Sequence, residues 1–380
     1  MKKFSAPLSV LLMVWVGLAF ICQPFAASSA FSQSAPGGGW ETEWNKTVDA
    51  AKKEGQVMIY STPSSALLSI LAKAFVQKFG IKVDWINGRG EELSKRMQTE
   101  KSAGLNLVDV VMSGGTTTLT VMKPHGLLGK LDAALILPEV IDPKNWKNDN
   151  FPFVDQDHNT MAMVGTLQRY VMYNTQLVQP DEFTSYKDLL NPKWKGKITI
   201  NDPTVAGTGS AFFTMLALDV YGVEETHEFM RQFVKQEPAF TRNRRLQGEW
   251  IAKGKYAVGV AVNMQTAVDF LKVGSPIAFA RIKEGGKVGS GAGGLSIAAN
   301  PAHPNAAKVF INWILSSEGH ALFTKNYGSP GTRKDAPMEG IPAEFNPEPG
   351  EKFYFDDEKG VLYRGTMIKA AKEILAPLFK

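Results

Sequence analysis

Residues Ile198 to Leu218 read ITINDPTVAGTGSAFFTMLAL. The β-branched run Ile198-Thr199-Ile200 predicts a strand, Asn201-Asp202-Pro203 a turn, and the apolar segment from Ala211 a buried helix. Between them, Thr204 to Ser210 are small. A helix that starts there leaves its first N–H groups outside the intrahelical ladder, beside the hydroxyls of Thr208 and Ser210 and the glycines Gly207 and Gly209. Such an end attracts a carboxylate, phosphonate or phosphate through free donors and the positive end of the helix dipole. The same residues also suit a plain cap and a chain turn. Phe212 stands where the third glycine of a dinucleotide fingerprint belongs, so that motif is excluded.

Upstream, strands alternate with amphipathic helices. The pattern predicts a helix over 40–54, a strand over 57–60, a helix over 64–79 stopped by Gly80, a strand over 81–86, a helix over 91–101 and a strand over 108–112. This alternation implies a parallel sheet with helices on both faces, whose ligands collect beyond the carboxyl ends of the strands. Three small polar loops share that edge: Ser61 to Ser64, Asn87 to Arg89, and Ser113 to Thr116. Arg89, between two glycines, offers a bidentate fork to an oxyanion, or else pairs with Glu91 or Glu92.

Just ahead of 198–218 the pattern predicts a long strand or strand pair over 161–173, and beyond it a helix over 224–233, a loop carrying Arg242 to Arg245, a helix over 246–253 and a strand over 257–262. Strands broken by the glycine-rich 284–294 follow, then a helix through Phe310 to Leu315 and a last helix over 361–378. Asp155, Asp157 and His158 cluster in a polar connection, without the fixed spacing of further ligands that a metal site needs. They read as a solvated loop.

At the N-terminus, Lys2 and Lys3 precede the apolar stretch Leu8 to Ile21 and small residues from Ala26 to Ala30, the pattern of a cleaved signal peptide over 1–30. Residues 31–39 read as a flexible leader. Ile21 fits a lipobox poorly, so ordinary cleavage is favoured over lipoprotein anchoring through Cys22, and the mature chain then holds no cysteine and no disulfide. About 350 residues remain, enough for two domains. Without Lys2 and Lys3, and with no acid in residues 1–30, the formal charge falls from +5 to +3. That mild excess favours anions and is too small to argue for nucleic acid.

The segment Asp188-Leu189-Leu190-Asn191-Pro192-Lys193-Trp194-Lys195-Gly196-Lys197-Ile198 resembles the D-L-x-(D/N)-P-x-W-K-G-K-I stretch of ABC-importer solute-binding proteins, the periplasmic two-lobed type II kind related to ferric-iron-binding proteins. Tyr173-Asn174, Gly254-Lys255-Tyr256-Ala257-Val258-Gly259, His303-Pro304-Asn305-Ala306-Ala307-Lys308, Ser317-Glu318-Gly319 and Tyr327-Gly328-Ser329-Pro330 match in the same order. The resemblance spans about 40–334. It implies an α/β fold of two lobes, each a mixed sheet flanked by helices, joined by two hinge crossovers near Met161 and Ile277. Lobe 1 is then 40–160 with 278–325, and lobe 2 is 161–277 with 326–380. The implied function is capture of a solute in the inter-lobe cleft and its delivery to a membrane permease and ATPase, by a periplasmic monomer.

The chain departs from the iron-binding relatives at the ligand positions that resemblance assigns. Ser64 replaces a histidine or similar ligand, the Ser113-Gly114-Gly115 turn replaces a carboxylate, and Asn263-Met264-Gln265 replaces a tyrosine pair. A hard ferric ion prefers anionic oxygen donors, which these residues do not supply, and Tyr327 alone does not restore the set. Neither a resident metal nor a cofactor is expected. The expected pocket instead collects Ser61, Ser64, Arg89, Ser113, Thr116, Thr208, Gly209, Ser210, Arg242, Arg244, Asn263 and Tyr327, with Tyr60 and Met264 near the rest of the ligand. Rich in donors and poor in acids, it suits a small organic anion. Ferric binding assisted by an anion, ligand sensing for a sensor kinase, and secreted catalysis on the same fold stand as alternatives. For catalysis, His227-Glu228 lacks the second histidine of a zinc protease helix, no G-x-S-x-G or Walker loop is present, and the five histidines are scattered. An enzyme is therefore not expected.

Overall fold

The computed structural model describes residues 39–376. The signal peptide, most of the leader, Cys22 and the end of the expected last helix lie outside them.

Helix α1 (Gly39–Glu54) carries Glu41 in its first turn and Lys52 and Lys53 in its last, which complements the helix dipole. Strand β1 (Gln56–Ser61) leads to α2 (Ser65–Phe79), where Ser64 accepts from the Leu67 N–H at 3.3 Å and Gly80, at φ 70°, closes the end. Then come β2 (Lys82–Asn87), α3 (Gly90–Ser102), β3 (Val110–Met112) and α4 (Gly115–Thr117), which runs into a π turn over Thr118–Met122. A long connection holds only 3-10 turns and α5 (Pro138–Ile141). Where one long strand or a strand pair is expected there are three short ones, β4 (Thr160–Ala162), β5 (Thr166–Gln168) and β6 (Val171–Asn174).

The second half contains β7 (Ile198–Asn201), α6 (Thr208–Met215), α7 (Val223–Val234), β8 (Ala239–Thr241), α8 (Arg244–Ala252), β9 (Val258–Val260) and α9 (Met264–Lys272). Next are β10 (Ile277–Phe279), β11 (Gly286–Gly289), β12 (Gly294–Ile297), α10 (Pro304–Leu315), α11 (Ser317–Tyr327), β13 (Phe353–Phe355) and α12 (Glu358–Ile374).

The first sheet has the order β2-β1-β3-β12-β4 and the second β10-β6-β9-β7-β8. Both are mixed. In the first, β1 is parallel to β2 and β3 while β12 runs antiparallel to β3 and β4; in the second, β7 is parallel to β8 and β9 while β6 runs antiparallel to β9 and β10. Each sheet has its own core. Leu71, Phe75, Val110, Trp146, Phe310 and Trp313 belong to one, and Tyr186, Ile200, Phe212, Phe229, Phe233 and Met367 to the other. The result is a two-lobed α/β molecule.

The chain crosses between the sheets twice. Met161 lies in β4 and Ile277 in β10, and the crossings carry β5 and β11, which pair antiparallel with Val288 opposite Leu167. β13 adds a third, parallel strand beside β11, with Val288 opposite Phe355. From Gly328 the chain stays against the first lobe, where Arg333 donates to the carbonyls of Glu139 at 3.0 Å and Leu315 at 3.1 Å. It then reaches the second lobe, where Ile341 and Phe345 pack on Met264 and Val268 of α9 and Tyr354 packs on the second core, before α12 packs on α6 and α7 as well as on α4 and its π turn.

Candidate functional site

The turn between β7 and α6 is built by its own polar side chains. The Asp202 carboxylate accepts from the Thr204 N–H at 2.9 Å, the Thr204 hydroxyl at 2.6 Å and Arg242 Nε at 2.8 Å. Burial works to raise the Asp202 pKa, but the Thr204 hydrogen bonds and the Arg242 guanidinium outweigh it and hold the group below the usual carboxylate range. Gly209 presses on the strand end: a Cβ there would stand 2.0 Å from the Asn201 carbonyl oxygen, and its N–H donates to Asn201 Oδ1 at 3.2 Å. Ser210 Oγ accepts from the Gly207 N–H at 3.1 Å and donates to the Gly207 carbonyl at 3.0 Å. Gly209 and Ser210 thus hold the start of α6 in place. The Gly209 and Ala211 amides already have acceptors, so this helix end is less open to an anion than its sequence implies.

A cleft of about 490 Å³ opens beside it. Gly115, Thr116, Leu119 and Val154 line its first-lobe side, and Gly207, Thr208, Ala211, Arg244, Asn263 and Met264 its second-lobe side. Thr208 Oγ1 donates to the Ala261 carbonyl at 2.6 Å. Asn263 caps α9, its Oδ1 accepting from the Thr266 N–H at 3.2 Å. Tyr327 also lines the cleft, with its hydroxyl accepting from the Ala292 N–H at 3.0 Å and burial raising its pKa. Arg244 opens α8 and is exposed. Among the described residues its guanidinium has neither an ion-pair nor a hydrogen-bond partner.

The remaining expected residues do not line this cleft. Ser61 is fully buried and donates to the Pro63 carbonyl at 3.3 Å, and Asn87 Nδ2 ties the same loop down by donating to the Ser61 carbonyl at 3.0 Å. Ser64 is occupied as the cap of α2. Arg89 is exposed ahead of α3, with its backbone N–H on Glu92 Oε2 at 3.2 Å. Ser113 is sealed beneath the sheet edge. Arg242 is held by Asp202. Tyr60 is buried, donates to Glu100 Oε1 at 2.7 Å and has its pKa pushed up to about 12, chiefly by burial and then by that carboxylate.

Four contributors come from segments that the sequence places nowhere near a pocket. From the crossings, Gln168 donates to the Arg169 and Val262 carbonyls at 2.8 Å each, and Lys287 pairs with Asp219 at 2.8 Å. Tyr170, after β5, is 2% exposed and borders the cleft, and burial is the main cause that raises its pKa far above the usual tyrosine range. From α12, Arg364 holds both Asp356 carboxylate oxygens at 3.1 Å and donates to Thr116 Oγ1 at 3.1 Å. Behind it, Lys123 gathers Glu358 at 2.6 Å, Asp157 at 2.8 Å and Asp155 at 3.1 Å. His158 pairs with Asp132 at 2.9 Å. The polar connection is therefore a charged brace between the first lobe and the last helix.

A family model of bacterial extracellular solute-binding proteins matches residues 71–348. The chain belongs to this family. An uncharacterized protein of Haemophilus influenzae is 25% identical to this solute-binding protein over 323 residues, which cover 82% of this chain and 87% of that one. Among solved structures, the Trichodesmium IdiA (FutA) protein in complex with iron and citrate aligns with a TM-score of 0.66 at 20% identity, covering 84% of this chain and 99% of its own. The periplasmic binding protein AfuA of Actinobacillus pleuropneumoniae, with exogenous fructose-6-phosphate bound, aligns with a TM-score of 0.61 at 20% identity, covering 85% and 99%. At these identities the likeness establishes the two-lobed fold of this solute-binding protein.

Proposed function

We propose that this solute-binding protein is exported to the periplasm, takes up a small organic anion bearing a carboxylate, phosphonate or phosphate in the inter-lobe cleft, and delivers it to an ABC permease and its ATPase. The observation that carries the reading is the charge balance of the cleft. Arg244, Lys287 and Arg364 line it, and among the described residues one carboxylate, Asp356, lines it with them and is held by Arg364. Arg244 is the cation left for a ligand. A closing cleft sheds water around such a pair and strengthens it. Asn263, Gln168 and the helix start at Thr208 add neutral donors for the rest of the molecule.

A thermal-shift screen of organic acids, phosphonates and sugar phosphates, followed by calorimetry of each hit, tests the proposal. A ligand that binds the native state alone raises the melting temperature by mass action. Arg244→Ala is expected to weaken a hit roughly tenfold without lowering the melting temperature of the free protein. Hits that bind Arg244→Ala as well as wild type would falsify the assignment.

Two phenols, Tyr170 and Tyr327, line the same cleft and favour a second reading, ferric ion held together with an exogenous anion. Ferric citrate then produces a visible charge-transfer band that neither component gives alone with the protein. Its absence removes this reading and leaves the first standing.

A further inference from the structure

The sheet made of β5, β11 and β13 has two faces. Thr166, Gln168 and Lys287 point to the polar cleft. Val288, one residue on, points the other way, as strand alternation requires. There a separate groove of about 280 Å³ is walled by Phe151, Phe153, Val164, Val288, Phe353 and Phe355. Phe353 and Phe355 meet edge to face at 5.5 Å, and Phe355 remains 55% exposed. A packed interior leaves no such gap between rings, and an apolar cavity of ~150 Å³ already accepts a benzene. At nearly twice that size, the groove fits two fused rings.

One end of the groove is charged. Lys147 lines it, and its backbone N–H donates to the Thr332 carbonyl at 2.9 Å. Its ammonium has no ion pair or hydrogen bond among the described residues, and desolvation lowers its pKa. Two acids also line the groove, Asp356 paired with Arg364 and Asp357 capping α12 at 2.8 Å from the Gly360 N–H, and Asp149, two residues from Lys147, is paired with Lys334 at 2.5 Å. The groove therefore offers an apolar bed, a cation with no acid of its own, and Asn148 and Asn150 beside it.

We propose that this groove is a second ligand site, which takes a small aromatic carboxylate of about two fused rings and holds its anionic end on Lys147. The rings lie on Phe353 and Phe355, and the carboxylate receives the hydrogen bonds that the ammonium lacks within the protein. Val154, Gly289, Ser290 and Asp356 border both the groove and the cleft, but Arg244 lines the cleft alone, so its removal tells the two apart.

Calorimetric titration of the intact exported protein with naphthoate, and with the neutral isostere naphthamide, tests the proposal. Naphthoate binds one per chain, and naphthamide binds roughly tenfold more weakly because it lacks the charge-assisted contact. Lys147→Met lowers naphthoate affinity to that of the amide, and Phe355→Ala weakens both. Both positions lie on the rim, and a melting curve like that of wild type shows that each variant is folded. Arg244→Ala leaves the titration unchanged. The proposal is overturned by an absence of saturable binding, by equal affinities for acid and amide, or by loss of binding in Arg244→Ala, which would place the probe in the cleft. Dimers that naphthoate fails to disperse would put a second copy in the groove and overturn it as well.

Discussion

Arg364 of the last helix donates to Oγ1 of Thr116, on the first lobe, at 3.1 Å, while the same guanidinium grips Asp356. A residue near the end of the chain thus supplies a cleft cation and contacts a hydroxyl that sequence alone points to. An anion in the cleft competes for this guanidinium with one neutral and one charged partner. Arg364→Ala is expected to lower affinity for the cleft ligand roughly tenfold to a hundredfold by calorimetry. Affinity within twofold of wild type would take Arg364 out of the binding set.

Arg242 and Arg244 are two residues apart and have different duties. Arg242 pairs with Asp202 but is 69% exposed, so the pair contributes about 0.5 kcal/mol once solvent screening is counted. Arg242→Ala should lower the melting temperature by one or two degrees and leave ligand affinity within about threefold. A large affinity loss in Arg242→Ala, with none in Arg244→Ala, would exchange their roles.

Gly209→Ala puts a methyl 2.0 Å from the Asn201 carbonyl oxygen, and the backbone on both sides is fixed by the sheet and the helix. The start of α6 must shift, at about 2 to 4 kcal/mol. Urea unfolding should show this as a lower midpoint at unchanged slope. An unchanged midpoint would mean that the turn adapts freely.

The side chain of Asp155 is completely covered, and Lys123 is the cation beside it. Burial works to lower the Lys123 pKa, and the hydrogen bonds its ammonium donates to Asp157, Glu358 and Asp155 more than reverse it, so the folded-state value is raised. Its contribution to stability is therefore present in full below the unfolded lysine value near 10.4 and is lost only at higher pH. Lys123→Met should cost about 3 kcal/mol at pH 7 in urea unfolding, part of which Asp155→Asn restores in the double variant. Strict additivity of the two changes would show that they do not interact.

His320 is fully buried against the Trp146 ring at 5.8 Å, and burial, with Arg333 adding to it, lowers its pKa to about 3. The unfolded chain takes a proton there near pH 6.5 and the folded one does not. Stability therefore falls as the medium is acidified from about pH 6.5 towards 3, by about 1.4 kcal/mol per pH unit for this one group, and levels off below. His320→Leu should remove that increment from the slope of unfolding free energy against pH. An identical slope in the variant would exclude His320 as its source.

The alternating strands and helices from Gln56 to Met112 are legible because each helix has an apolar stripe and a stop, as Leu67, Leu71, Phe75 and Gly80 show for α2. Strands β8 and β13 are three residues long, too short to carry any period, and go unread. The cleft is legible at Thr116, Thr208, Asn263 and Tyr327, which sit where turn chemistry or family likeness suggests, whereas the sequence does not separate Arg242 from Arg244, and it is Arg244 that lines the cleft. Ser61 and Ser64 share the composition of a ligand loop, and only the fold shows their hydroxyls committed to the Pro63 carbonyl and to the cap of α2. For Tyr170, Lys287 and Arg364 nothing local gives a signal, since crossings and a late helix bring them to the cleft from far along the chain.

Because α12 rests on α6 at one side and on the π turn after α4 at the other, separating the lobes peels this helix from one of its two seats. The molecule then has three bodies to coordinate instead of two, and the third wears a handle on the outside. Leu362, on α12, is 53% exposed. A dye attached there senses which seat the helix keeps, and so registers the arrival of cargo without entering the chamber that receives it.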